Sequence, residues 1–373
     1  MFQKITSFIV SIVLAIGSFV GITKSEPKPM AELSGKDSVY SAPNNFALEA
    51  AEYMEYIAYN FPDRSDLFIK SGRREAREWI ISILLKAGYS EDQIETPRVM
   101  LSGKNIVLTV PGKDTSKQIV VGAHYDGDGD GDNGSGIALL LAEAVGLANT
   151  TLPVTVKYVF FDEEEIGCLG SRAFVNSMSE GEIKSTLFMV NIDAIAFGDY
   201  CNIYGGKQDV ENKTVTQTEA YDHAMALAED LGYNVYGYRA LNGYYAKHGK
   251  GPDLDRRGVF TNPWTFENPA PANAGTYSPS AYPASDHNNF EAVDIPYIYF
   301  EATNWYAAGK KPSGDSYTGY FETTDSSIGN GGMFMNTEFD TIENLEKYFP
   351  GRAMEHFNIY SPILSALILN PYI

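Results

Sequence analysis

Four short apolar runs constrain this chain most: QIVVGA at 118–123, VTVKYVFF at 154–161, TLFMVNI at 186–192 and IPYIYF at 295–300. Runs of this length, rich in β-branched and aromatic residues, read as strands buried on both faces. Helical patterns lie between the first three, at about 135–148 and 170–179. Strands alternating with helices predict an α/β fold: a single domain with a mixed, mostly parallel central sheet flanked by helices. NIVLTVPG (105–112) adds a strand that ends in a turn. A helix is expected near 46–60, and GRREAREWIISILLKAGY puts Ala76, Trp79, Ile80, Ile83, Leu84 and Ala87 on one helical face, with Gly88 as its stop. DTIENLEKYF and RAMEHFNIYSPILSALIL read as C-terminal helices.

Two segments stand apart. Residues 1–31 open with one cation before the uncharged run Ile5–Ile22 and a polar, proline-bearing stretch, the layout of a signal peptide or, if uncleaved, a membrane anchor. Export to the periplasm or the extracellular space is the expectation, with residues 32–373 as the working domain. At about 198–284 the chain turns rich in Gly, Tyr, Pro and Asn, with GYNVYGYRALNGYYAKHG in the middle. That is too long for a simple connection and reads as a rim inserted into the same domain. A net charge of -20 excludes nucleic acid as a partner, because phosphate contacts need clustered Lys and Arg. Two cysteines, Cys168 and Cys201, are too few for a disulfide scaffold.

The segment HYDGDGDGDNGSG (124–136) packs four aspartates into seven positions behind one of five histidines. Such a cluster is costly without a cation. A calcium loop is one reading of Asp126-Gly-Asp128-Gly-Asp130-Gly131, but Ile137 stands where such a loop needs its bidentate Glu, and a strand precedes it instead of a helix. The other strands supply a better one. In open α/β sheets functional groups gather at the carboxyl ends of strands. One strand ends at His124-x-Asp126, the next at Asp162–Glu165, the third at Asp193, and Ser285–Phe290 (SDHNNF) precedes the last. Imidazoles and carboxylates converging on one edge suit zinc in an open catalytic site.

HYD (124–126), DNGSG (132–136), EEIGCLGS (164–171), NID (191–193) and SDH (285–287) together resemble the M28 zinc aminopeptidases of the co-catalytic di-zinc type, over about residues 65 to 370. NTEFDT (336–341) resembles that family's H-T-x-x-D-T segment, with Asn336 in place of the His. The resemblance implies two zinc ions, replaceable by cobalt or manganese: one held by His124 and Asp193, the other by Glu165 and His287, with Asp132 bridging. It implies Glu164 as general base and peptides as substrates. Asp126, two residues past His124, is placed to orient the imidazole. Gly134 and Gly136 allow a tight turn beside the metals, and Ser135 is expected to cap the next helix. Asp128 and Asp130 receive no catalytic role.

Three activities fit such a scaffold. Removal of N-terminal residues from peptides comes first. Glutaminyl cyclisation or carboxypeptidase action is second, although cyclases resembling this family interrupt the stretch after the Glu pair and EEIGCLGS runs unbroken. A non-catalytic binding ectodomain is third, and the full ligand set argues against it. Cys168 reads as a small buried hydrophobe, His223, His248 and His356 as surface or packing residues, and Tyr233–Tyr245 as either a substrate cleft or rim packing.

Overall fold

The computed structural model describes residues 44–65, 72–100, 102–209, 214–239, 285–303, 323, 325 and 327–372. Two helices come first, α1 (Ala47–Asn60) and α2 (Gly72–Lys86), followed by strands β1 (Ile94–Glu95), β2 (Ile106–Val110) and β3 (Asp114–His124). Then come α3 (Gly134–Gly146), β4 (Val154–Phe161), α4 (Leu169–Ser177), α5 (Glu180–Ser185) and β5 (Thr186–Ile192). β6 (Tyr200–Gly205), β7 (Lys207–Asp209), β8 (Thr214–Thr216), α6 (Glu219–Asp230) and β9 (Tyr236–Arg239) follow. The last described elements are α7 (His287–Glu291), β10 (Tyr297–Thr303), α8 (Ile342–Tyr348) and α9 (Arg352–Leu369).

Eight strands form one sheet in the order β1-β2-β4-β3-β5-β10-β6-β9. The central strands β4, β3, β5 and β10 run parallel, and antiparallel pairs β2–β4 and β10–β6 lie outside them. This is the mixed, mostly parallel α/β sheet expected from the apolar runs. Alternation along each strand divides the core between two faces. On one face Val107, Val120, Val159, Phe161 and Met189 pack against Phe174 and Val175 of α4 and Phe290 of α7. On the other, α3 packs against α1 and α9. α3 is buried from Gly134 through Ala144, as its near-continuous apolar sequence requires. The predicted face of α2 is half realised. Ala76, Ile80 and Leu84 are buried, whereas Trp79 is half-buried and stacks on Tyr56 of α1 at 4.9 Å.

The region expected to be a rim is, up to Arg239, part of the sheet. β6 pairs with β10 and β9 with β6, and Tyr236 is buried with its ring 4.7 Å from that of Tyr200. Residues 240–284, including most of the tyrosine-rich stretch and His248, lie outside the described residues, as do residues 1–43. Among the described residues no helix is long and apolar enough to cross a membrane.

Candidate metal centre

Register brings the central strand ends level. Gly122 pairs with Asn191 and His124 with Phe161, so two residues beyond Asn191 the chain reaches Asp193 beside His124. His124 Nε2 lies 3.2 Å from Asp132 Oδ1 and 3.2 Å from Asp193 Oδ1. Its Nδ1 faces the Asp126 carbonyl at 3.3 Å and the Asp126 carboxylate at 3.5 Å. A proton held on Nδ1 by Asp126 leaves Nε2 as the atom turned to the cluster.

Asp132 sits in the turn before α3, and the adjacent peptide to Asn133 is cis. Asn133, not Ser135, caps this helix: its side-chain oxygen accepts from the Gly136 N–H at 2.9 Å, while its amide donates to the Ile192 carbonyl. Ser135 has other work, donating to the Gly131 carbonyl at 2.6 Å and accepting from the Ile195 N–H. Gly136 is needed by space. A Cβ there would run into the Asn133 side chain and the Ile192 carbonyl. Cap and close approach together tie the Asp132 turn to the end of β5.

Asp126 also acts beyond His124. Its two carboxylate oxygens accept the backbone N–H groups of Glu164 (3.0 Å) and Glu165 (3.3 Å), which fixes the loop after β4 against the end of β3. The preceding Asp162 is fully buried and meets Arg73 at 3.1 Å, Tyr125 Oη at 2.7 Å and the Lys104 N–H at 2.7 Å. Donor atoms of His124, Asp132 and Glu165 lie within 4.8 Å of one another.

Carboxylates crowd this cluster around a single imidazole. Burial and the like charge of Asp193 push Asp132 up to about 7, although His124 counteracts both. Burial opposes protonation of His124, but Asp193, Glu164, Asp126 and Asp132 outweigh it and raise its pKa well above the usual range. Burial likewise raises Glu164 against the pull of His124, with repulsion from Asp286 adding to the rise. The ion pairs of Asp126, Asp132 and Asp193 run through one imidazole, that of His124.

His287 is not brought to this cluster. As the first residue of α7, its ring stacks on Tyr297 and Tyr299 of β10, at 4.5 Å from each, with Nδ1 3.4 Å from the Asn191 amide. The helical turn sends its neighbour Asp286 the other way, fully buried and electrostatically facing Glu164. Ser285 donates to Asp193 Oδ2 at 2.6 Å and accepts from Asn191. The segment 336–341 enters the site instead. Asn336 Nδ2 lies 3.3 Å from Asp132 Oδ2, and the Asp340 carboxylate accepts the N–H groups of Gly131 (2.6 Å) and Asp132 (3.0 Å). No local pattern announces these contacts, since they join loops some two hundred residues apart.

The two remaining aspartates shape the loop. Asp128 accepts from the Ser65 N–H and hydroxyl, and buried Asp130 accepts from the Ile342 N–H at 2.8 Å. Cys168 is half-buried rather than a core hydrophobe. It takes left-handed φ of 52° before α4, and its thiol donates to Glu164 Oε1 at 3.3 Å. Cys168 and Cys201 are both free. His223 and His356 pack as expected, bonded to the carbonyls of Asn370 and Ile195.

A nitrogen and several carboxylate oxygens at one strand-end cleft form the donor set of a divalent-cation peptidase site. The sequence model of peptidase family M28 matches residues 105–239, the stretch that carries His124 through Asp193. Over that stretch the chain is similar to peptidase family M28. Among curated relatives, the alkaline phosphatase isozyme conversion protein of Escherichia coli (strain K12) is 22% identical over 94% of this chain and 93% of its own. Leucine aminopeptidase 2 of Trichophyton rubrum is 34% identical over 30% of this chain, a match spanning only 23% of that protein. The fold is that of a Zn-dependent exopeptidase from Parabacteroides distasonis (TM-score 0.56, 16% identity, covering 88% of this chain and 100% of that one). A glutaminyl cyclase from an Acidobacteriales bacterium shares it as well (TM-score 0.57, 18% identity, covering 88% and 97%).

Proposed function

We propose that this chain is an M28-type peptidase, an exported zinc-dependent aminopeptidase that releases N-terminal residues from peptides. The observation that carries the reading is His124 Nε2 at 3.2 Å from both Asp132 and Asp193, one imidazole and two carboxylates closing on a single point. That set fits a zinc ion; Glu165 lies near enough to join it or to serve a second ion. When bound, zinc would polarise the scissile carbonyl and make water acidic enough to attack at neutral pH.

The chain's own groups supply the rest. Glu164 takes the proton of the attacking water and passes it to the leaving amine. Asp126 keeps that base in place through the Glu164 and Glu165 N–H groups, and holds the His124 ring from behind. Ser285 holds Asp193. The leucine aminopeptidase likeness supports action at the N-terminus, and the apolar run Ile5–Ile22 supports export. Cyclisation is the second reading, because a cyclase shares the fold; the unbroken EEIGCLGS favours hydrolysis.

The test is mass spectrometry of a short peptide beginning with Gln and ending in a free carboxylate, incubated with zinc-loaded protein. Stepwise loss from the N-terminus is expected. Loss of ammonia alone would identify a cyclase, trimming from the other end a carboxypeptidase, and an untouched peptide would count against hydrolysis.

A further inference from the structure

Asp132 spreads its two oxygens in different directions. Oδ1 faces His124 Nε2 at 3.2 Å, and Oδ2 faces the side-chain amide of Asn336 at 3.3 Å. The first direction leads to an imidazole and Asp193. The second leads to Asn336, which after a half-turn of its amide would offer Oδ1 beside Asp132 Oδ2; Glu165 adds a carboxylate within 4.8 Å of donor atoms of both Asp132 and His124. His287, the imidazole expected at this second position, lies against Tyr297 and Tyr299 instead. Among the described residues no other histidine joins the group formed by His124, Asp132 and Glu165.

Asn336 is placed there by its backbone. It has φ of 57°, a left-handed conformation in which Asn and His are both enriched and most residues are not. The segment it opens, NTEFDT, resembles H-T-x-x-D-T with an amide where that pattern has an imidazole. Asp340, at the segment's far end, clamps Gly131 and Asp132, so the segment is anchored with Asn336 beside the bridging carboxylate.

Resting on the metallopeptidase reading above, we propose that the two cation positions are chemically unequal. One, at His124, Asp132 and Asp193, takes zinc. The other, at Asp132, Glu165 and Asn336, offers oxygen alone and takes a harder, exchangeable divalent cation of the manganese(II) type. Imidazole suits zinc, whereas carboxylate and carbonyl oxygens suit magnesium, calcium and manganese.

The experiment strips the full-length protein with chelator and reloads it in buffered zinc with excess manganese(II). Bound metal is then counted by plasma mass spectrometry after gel filtration and by the paramagnetic resonance of bound manganese. One zinc and one manganese per chain are expected. Glu165→Gln should keep the zinc and lose the manganese signal. Asn336→His should hold two zinc ions and exclude manganese, tightening the second zinc by at least about tenfold. Two zinc ions that manganese fails to displace from the unaltered protein would overturn the inequality. So would an Asn336→His protein unchanged in metal content, or a His287→Ala protein that loses the second ion. A chain that binds no zinc at all would instead overturn the metallopeptidase reading itself.

Discussion

The carboxylate of Asp340 accepts the backbone N–H of Asp132 at 3.0 Å, across 208 residues of sequence. A second bond, from the Gly131 N–H at 2.6 Å, makes Asp340 the clamp of the turn that presents the Asp132 carboxylate. Asp340→Ala should therefore loosen the site without removing any proposed ligand. Zinc affinity, measured by competition with a chelator, should fall about 10–100-fold, as it does when groups behind metal ligands are lost. Unchanged affinity would show that the turn holds its shape without the clamp.

Glu164 and Asp132 differ in what each should cost. Glu164 is proposed as the base and Asp132 as a ligand, so Glu164→Ala should lose turnover by at least about 100-fold while zinc content stays normal. Asp132→Ala should release metal, because it removes the one carboxylate near His124, Glu165 and Asn336 alike. Zinc content and peptide turnover measured on both variants decide the matter. Metal loss from the Glu164 variant would exchange the roles of the two adjacent glutamates, and an active, fully loaded Asp132 variant would remove it from the site.

Asp162 closes β4 just before that pair, buried with Arg73 at 3.1 Å. Removing only the cation leaves a buried carboxylate short of compensation, a change that typically costs about 3–5 kcal/mol. Arg73→Met should accordingly lower the midpoint of denaturant unfolding at neutral pH, with Arg73→Lys falling between the two. Equal stability of Arg73→Met and the parent would show that Tyr125 and the Lys104 N–H satisfy Asp162 by themselves.

What could be read from sequence follows from range. The buried strands and the groups at their ends rest on local apolar patterning, and parallel pairing then carries His124, Asp193 and the Asp162–Glu165 loop to one edge. The choice between the adjacent residues of SDH turns on about 100° of helix rotation, which a motif does not encode. It sends Asp286 toward Glu164 and His287 onto the sheet. Asn133 and Ser135 were interchangeable as caps by composition; tertiary bonds from Ile192, Ala194 and Ile195 decided between them. The Asp340 clamp and the Asn336 contact are long-range, and only the likeness of a six-residue segment pointed to their region.

The last prediction concerns pH and a group far from the metals. Glu143 lies fully buried in α3, accepting from Ser361 and Ser365 of α9 at 2.6 Å each. Burial raises its pKa from 4.5 to about 8, against the lowering effect of the two hydroxyls. The folded state thus keeps a proton that the unfolded chain gives up between about 4.5 and 8. Its stabilising contribution is complete below the lower value and is lost as pH rises through the window. His356 works in the opposite sense. Burial lowers it to about 4, so its penalty appears only as pH falls below 6.5. Between pH 6.5 and 8 Asp132 and Glu165 titrate as well, so the difference between parent and variant is what isolates Glu143. Glu143→Gln keeps the shape and hydrogen-bonding capacity while removing the titration. Relative to the parent, the variant should gain about 2 kcal/mol between pH 6.5 and pH 8, since one pKa unit is worth about 1.4 kcal/mol. Thermal or denaturant unfolding of both proteins at the two pH values reads this directly, and parallel pH dependences would mean that Glu143 folds as a carboxylate.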